Sequence, residues 1–327
     1  MKLTILFDLD DTLLVNDVNK FLPAYIRLLS QQLSDFPADR VVNHLLAATQ
    51  KMVEKSSPAL TLEETFNQHF YPALGTTPEA QQAQIDHFYA NAFPSLRPLT
   101  SPQPGAQGLM NYVLQQGHDG GVATNPLFPR TAIEQRLDWA GFPVASTPFK
   151  LITNFSSFHF SKPHPAFYAE ILAQSGWQDQ PAVMLGDNLK DDLLPAAQLG
   201  MPVYWLNQSA SLPEGFHPLS RSGSFAGILP WLKTIEASPV ELNLTSPQAL
   251  LAVLKSTPAA FHSFVRPLTK TQWKTRPARG EWCLTEIMCH LRDVEREINL
   301  PRIRQILREE NPFLPGILSD SWASQRK

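Results

Sequence analysis

The chain opens with Leu3-Thr4-Ile5-Leu6-Phe7, an apolar run without polar alternation, and the run ends in Asp8-Leu9-Asp10-Asp11-Thr12. A short apolar run of this kind reads as a strand buried on both faces, as in a parallel sheet. At a strand's period of two, Asp8 and Asp10 project to the same side. Two carboxylates held together are unfavourable unless a cation lies between them or one keeps its proton. This is the setting for a Mg²⁺ ion, an Asp nucleophile and an Asp general acid acting on a phosphate. A strand-end Asp is also an ordinary turn former. A calcium loop would want an acidic or amide group at its fifth position and Gly at its sixth, where this chain has Thr12 and Leu13.

Three more segments supply context. A short strand in Asp-Gly-Gly-Val-Ala ends at Thr124-Asn125. Lys162 stands in Ser-Lys-Pro-His-Pro just before an apolar-periodic helix, Ala166 to Ser175. Pro181 to Gly186 is an apolar strand followed by Asp187-Asn188, with Asp191-Asp192 close behind. Open α/β sheets bind ligands at the carboxyl ends of their strands. Asp8, Asp10, Thr124, Lys162 and Asp187 can therefore converge. Each type suits phosphoryl transfer, which needs positioning and charge neutralisation. Lysine is a compact point charge, and Mg²⁺ takes one or two carboxylates plus phosphate. Singly, Lys162 also fits a solvated helix start, and Asp191 and Asp192 fit first-turn charge at a helix N-terminus.

The order and spacing of these four motifs resemble the haloacid dehalogenase superfamily over roughly residues 1 to 235. That resemblance implies a Rossmann-like parallel sheet with an inserted all-helical cap. It implies Asp8 as nucleophile and Asp10 as general acid and then base. Thr124 and the amides near Asn125 would hold phosphoryl oxygens, and Lys162 would bridge nucleophile and phosphate. Mg²⁺ would be held by Asp8, the backbone carbonyl of Asp10 and Asp187, with Asp192 in support of the metal or of Lys162. The expected activity is Mg²⁺-dependent hydrolysis of a small phosphorylated metabolite through an aspartyl phosphate. Phosphomutase, dehalogenase and non-catalytic regulatory readings stay open, although Asp10 argues against the dehalogenase.

The breaks in the pattern divide the chain. Residues 1–16 and 98–236 form the expected α/β core, 17–97 a helical cap, 237–245 a linker and 246–327 a helical segment. Thr61-Leu-Glu-Glu64 reads as a capping box, and Val203 to Asn207 as a further strand. Leu96 to Gly105 reads as a Pro-rich return linker and Ser209 to Ser224 as irregular. The last segment, with Glu281-Trp282, His290, Asp293 and the run from Arg302 to Pro312, resembles the start of a DinB-like four-helix bundle. Only His290 matches that family's histidine ligands. With two long helices visible, it is either the front of a longer bundle or half of one completed by a second copy through its C-terminal helices.

At 327 residues, 43% hydrophobic and net charge -3, the chain is expected to hold about two domains and to bind neither nucleic acid nor an anionic membrane. The two cysteines, Cys283 and Cys289, are no secreted disulfide framework. The stretch before Asp8 is too short for a signal peptide, and no apolar run has membrane-spanning length. These features lead to a cytoplasmic expectation.

Overall fold

The structure, a computed structural model, describes residues 1–176, 180–316 and 322. Two compact units emerge, Met1–Ser263 and Phe264–Lys327.

The first unit is built on strand β1 (Thr4–Phe7), which is buried at every position. β2 (Leu14–Asn16) follows after a tight turn. In that turn Asp11 has φ +52°, a left-handed backbone that Asp tolerates better than most residues. Its side chain accepts from the Asn16 amide at 2.9 Å and holds the turn closed. The insert then runs through α1 (Val18–Gln32), α2 (Ala38–Glu54), α3 (Leu62–Leu74) and α4 (Pro78–His87). The expected capping box is formed: Thr61 accepts from the Glu64 amide at 3.1 Å while Glu64 accepts from the Thr61 amide at 2.8 Å. Helical turns continue from Phe88 to Leu99.

β3 (Thr100–Pro102) pairs antiparallel with β2. The Pro-rich stretch expected as plain linker is thus half of a two-stranded stem on which the helical insert stands. α5 (Ala106–Gln115), β4 (Asp119–Val122), α6 (Arg130–Trp139), β5 (Leu151–Ile152), α7 (Pro165–Gln174), β6 (Ala182–Gly186), α8 (Leu194–Ala197), β7 (Val203–Leu206), β8 (Arg221–Gly223) and α9 (Ile228–Glu236) complete the wound core. The strands form one parallel sheet in the order β5-β4-β1-β6-β7-β8. β8 lies in the Ser209–Ser224 stretch expected to be irregular. An edge strand reading Arg-Ser-Gly has no hydrophobic pattern and is formed by its ladder with β7.

α10 (Pro247–Val265) buries Ala249, Ala252, Ser256, Ala259 and Ala260. Its small face joins the same core cluster as Phe160, Phe167 and Met184. His262 on this helix meets His159 at 2.7 Å, and His159 in turn bonds the buried Glu170 at 2.7 Å. By its contacts the first unit therefore reaches Ser263, beyond the 237–245 stretch expected as linker.

The second unit holds α11 (Lys270–Lys274), α12 (Leu284–Val294) and α13 (Leu300–Ile306), the last two joined by a turn of π-helix. Arg276 bonds Glu286, which caps the Cys283 amide at 3.0 Å. His290 packs against Trp282 with the rings tilted by 59° and their centroids 4.9 Å apart. No described helix is long and apolar enough to cross a membrane.

Candidate active site

β1 is the centre of the sheet, paired with β4 on one side and β6 on the other. The chain leaves all three strands at the same edge, and the predicted site residues sit there. Asp8 follows β1 directly and its amide donates to Leu185 O at 2.9 Å. Thr124 lies two residues past β4, whose ladder continues through Ala123 N to Phe7 O at 2.7 Å. Asp187 follows β6, and Lys162 precedes α7 by three positions.

Lys162 joins these ends. It is buried, and its Nζ lies 2.6 Å from Asp8 Oδ1 and 2.5 Å from Asp192 Oδ1. Asp192 also accepts from the Asn188 amide at 3.1 Å, so its carboxylate is fixed from both sides. Asn188 is itself a cap, its side-chain oxygen accepting from Lys190 N and Asp191 N. Asn125 accepts from Lys162 N at 3.3 Å, tying the loop after β4 to the lysine loop. Thr124 is buried, and its carbonyl accepts from Thr153 Oγ1 at 2.6 Å.

The electrostatics show what this cluster lacks. Burial pushes the Asp8 carboxyl well above the usual range against the pull of Lys162, and Asp192 and Asp10 push the same way. Burial acts to lower the Lys162 ammonium, but Asp192 and Asp8 prevail and hold it well above its ordinary value. Burial, then Asp192 and Asp11, push Asp187 up to about 7. Carboxylate oxygens of Asp8, Asp187 and Asp192 lie within 4.8 Å of one another. Three carboxylates against one ammonium leave excess negative charge. Hard oxygen donors so arranged fit a small divalent cation.

Asp10 stands apart from this cluster. Its Oδ1 accepts from Asn16 Nδ2 at 2.7 Å and pairs with Arg136 Nη2. The motif reading missed Arg136 and Asn16. Arg136 carried a signal, because it falls in the buried stripe Ala132, Ile133, Arg136, Leu137 of α6. A charge inside an apolar stripe is rarely fully buried unless paired. Here its guanidinium is 2% exposed and lies over the Phe21 and Phe128 rings at 5.5 and 5.6 Å. His290 belongs to no cluster of three His, Cys or acidic donors among the described residues.

Residues 5–206 match the family model described as haloacid dehalogenase-like hydrolase. The chain belongs to the haloacid dehalogenase-like hydrolase family. Within that family, a 2-haloacid dehalogenase from Pseudomonas syringae pv. Tomato DC3000 is 23% identical. The match covers 72% of this chain and all of that one, with a TM-score of 0.51. A haloacid dehalogenase-type phosphatase from Thermococcus onnurineus is 18% identical over 74% of this chain and all of that one, with a TM-score of 0.44. At that identity, the similarity to the Pseudomonas dehalogenase shows a shared fold. No curated protein matches the chain.

Proposed function

We propose that this family member is a Mg²⁺-dependent phosphohydrolase of a small phosphorylated metabolite. The observation that carries the reading is the buried Asp8–Lys162–Asp192 chain beside Asp187. It is a nucleophile fixed by a cation, within an acidic cluster short of positive charge. A metal-free displacement of halide would not need that cluster, so it favours the phosphatase over the dehalogenase.

In this proposal an Asp8 carboxylate oxygen attacks phosphorus in line, and the bond to the leaving oxygen breaks as Asp10 supplies its proton. Water then attacks the aspartyl phosphate, Asp10 takes the water's proton, and inorganic phosphate leaves with Asp8 restored. Lys162 orients Asp8 and balances charge on the phosphoryl oxygens, and Thr124 with the amides near Asn125 bonds those oxygens. Asp8, the Asp10 carbonyl and Asp187 would hold Mg²⁺, with Asp192 fixing Lys162. Mg²⁺ would supply neutralisation of phosphoryl charge and alignment of the attack. Asp10 accepts from Asn16 and Arg136, so proton transfer requires it to turn from those donors to the leaving oxygen. Asp10 lies between the sheet edge and the helical insert, which supports residues 17–97 as a substrate-selecting cap.

The proposal places the protein in the cytoplasm, without nucleic-acid or membrane partners. It keeps the DinB-like reading of 246–327 for the part after α10, which a second copy completes through its C-terminal helices, where Ile303, Ile306 and Leu307 are exposed.

The test is a screen of phosphate monoesters with Mg²⁺ and with excess chelator, on wild type and on Asp8→Asn. Loss of a covalent nucleophile is expected to lower kcat by at least about 10³-fold, roughly 4 kcal/mol of barrier. Activity of Asp8→Asn within tenfold of wild type, or full activity in chelator, would rule the mechanism out.

A further inference from the structure

A cavity of about 510 Å³ lies between the insert and the core, with Asp10, Asn16 and Arg136 in its wall. We propose that it receives the leaving group of the substrate and that this group is apolar. The substrate class is then the phosphate monoester of an aromatic or branched aliphatic alcohol, not a sugar phosphate or nucleotide. The inference rests on the phosphatase reading above.

Position is the first argument. Asp10 is the group proposed to protonate the leaving oxygen, and it is part of the cavity wall, whereas Asp8 and Lys162 are not. A phosphate seated at Asp8 with its leaving oxygen at Asp10 directs the remainder of the ester into this space. The volume falls within the range of small-molecule sites, about 300–1,000 Å³.

The chemistry of the wall is the second argument. Phe21, Ile26, Leu45, Phe66, Phe70 and Phe128 contribute to it, from three helices of the insert and the core loop before α6. Of the three wall tyrosines, Tyr25, Tyr71 and Tyr89, the hydroxyls of Tyr25 and Tyr89 are bonded to each other at 3.1 Å. Away from Asp10 and Arg136, the charged wall residues Asp86 and Arg130 lie exposed and each already bonds a helix neighbour, Gln82 and Glu134, while Glu63 is half-buried in the first turn of α3. A sugar brings several hydroxyls that each need a partner, and an unmet one in an apolar site is costly. Beside Asp10, Arg136 Nε and Asn16 Oδ1 are buried without a hydrogen-bond partner among the described residues. Both atoms are closed off from the cavity surface, so neither offers a ready partner to the hydroxyls of a polyol.

The test compares 2-phenylethyl phosphate with ribose 5-phosphate, both esters of primary alcohols, and with acetyl phosphate as the smallest substrate. A non-hydrolysable probe, 3-phenylpropylphosphonate, is titrated separately by calorimetry. The expected preference in kcat/KM for 2-phenylethyl over ribose 5-phosphate is about 100-fold, from burial of one aromatic group and avoidance of unpaired hydroxyls. Leu46 lines the cavity and is 49% exposed, so Leu46→Lys should fold while placing an ammonium in the wall. It is expected to weaken phosphonate binding about tenfold and to lower the preference for 2-phenylethyl over acetyl phosphate by a similar factor. Phosphonate binding without turnover of any ester would discard the phosphatase reading and leave the apolar cavity standing. Ribose 5-phosphate turned over as efficiently as the phenyl ester would discard the apolar class and leave the phosphatase reading standing. Absence of phosphonate binding, or binding indifferent to Leu46→Lys, overturns the proposal.

Discussion

Gly186 ends β6 where a methyl group would stand 2.6 Å from the Cγ of Asp192. The missing side chain lets Asp192 fold back against the strand and reach Lys162 at 2.5 Å. Glycine is needed there for space rather than for backbone freedom.

Gly186→Ala is therefore expected to displace Asp192 from Lys162 and, through Lys162, to loosen Asp8. Overpacking against a rigid strand costs about 1–3 kcal/mol, and misplacing the reacting groups should lower kcat about 100-fold. Thermal denaturation and steady-state kinetics on one substrate check both. Wild-type kcat would show that Asp192 does not position Lys162.

The raised pKa of Asp187, about 7 from 3.8, links stability to pH in the metal-free protein. Below about pH 4 the group is protonated in both folded and unfolded chains and contributes nothing. Between about 4 and 7 the unfolded chain releases the proton and the folded one keeps it, so stability falls as pH rises. Above 7 the full penalty remains. At pH 8 without metal, Asp187→Asn is expected to be more stable than wild type by about 1–2 kcal/mol, allowing for solvent screening. It is also expected to lose the stabilisation that Mg²⁺ gives wild type. Melting temperatures at pH 4, 6 and 8, with and without Mg²⁺, measure this. A variant that Mg²⁺ still stabilises as strongly as wild type would remove Asp187 from the metal site.

His164 gives the opposite slope. Its Nδ1 accepts from Ala166 N at 3.0 Å as the N-cap of α7, a role open only to the unprotonated nitrogen. Burial, with Lys255 nearby, lowers its pKa from 6.5 to about 4. Above 6.5 both states are neutral and the cap is intact. As pH falls from about 6.5 to about 4 the unfolded chain takes up the proton first, and this stability is lost. His164→Asn keeps a capping acceptor and should flatten that part of the pH–stability curve by about 1 kcal/mol. Urea denaturation of both proteins at pH 7 and 4.5 provides the comparison, and equal slopes would exclude His164 as the source.

Truncation distinguishes the two possible ends of the first unit. Removing everything after Ser238 strips α10 from Phe160, Phe167 and Met184 and breaks the His159–His262 bond. A chain ending at Ser263 keeps the buried alanine face. The shorter form is expected to be less stable by at least about 3 kcal/mol, the scale of one or two large buried side chains returned to water. Denaturant midpoints of the two forms decide. Equal midpoints would return the boundary to the 237–245 stretch.

Much of the site was legible because its residues lie at strand ends. β1, β4 and β6 are short apolar runs, and strand-end polar groups stand out against them. Asp8, Thr124 and Asp187 could be placed at one sheet edge from period and order alone. The capping box at Thr61 and the period of α10 were equally local. β3 and β8 were not legible, since Thr-Ser-Pro and Arg-Ser-Gly have no strand pattern and are set by the ladders of β2 and β7.

Arg136 and α10 mark the limit more sharply. The sequence by itself determined a parallel sheet with an acidic edge, a lysine before α7 and a helical insert after β1, because each follows from local periodicity or from motif order. Only the tertiary structure decided that Asp10 faces Arg136 and Asn16. Only it showed an apolar cavity beside them and α10 completing the first unit. The Asp10–Arg136 pair and the docking of α10, with His159 and His262 103 positions apart, join segments far apart in the chain. They depend on which faces pack together, and that is decided by the burial of whole elements, not by the pattern within any one of them.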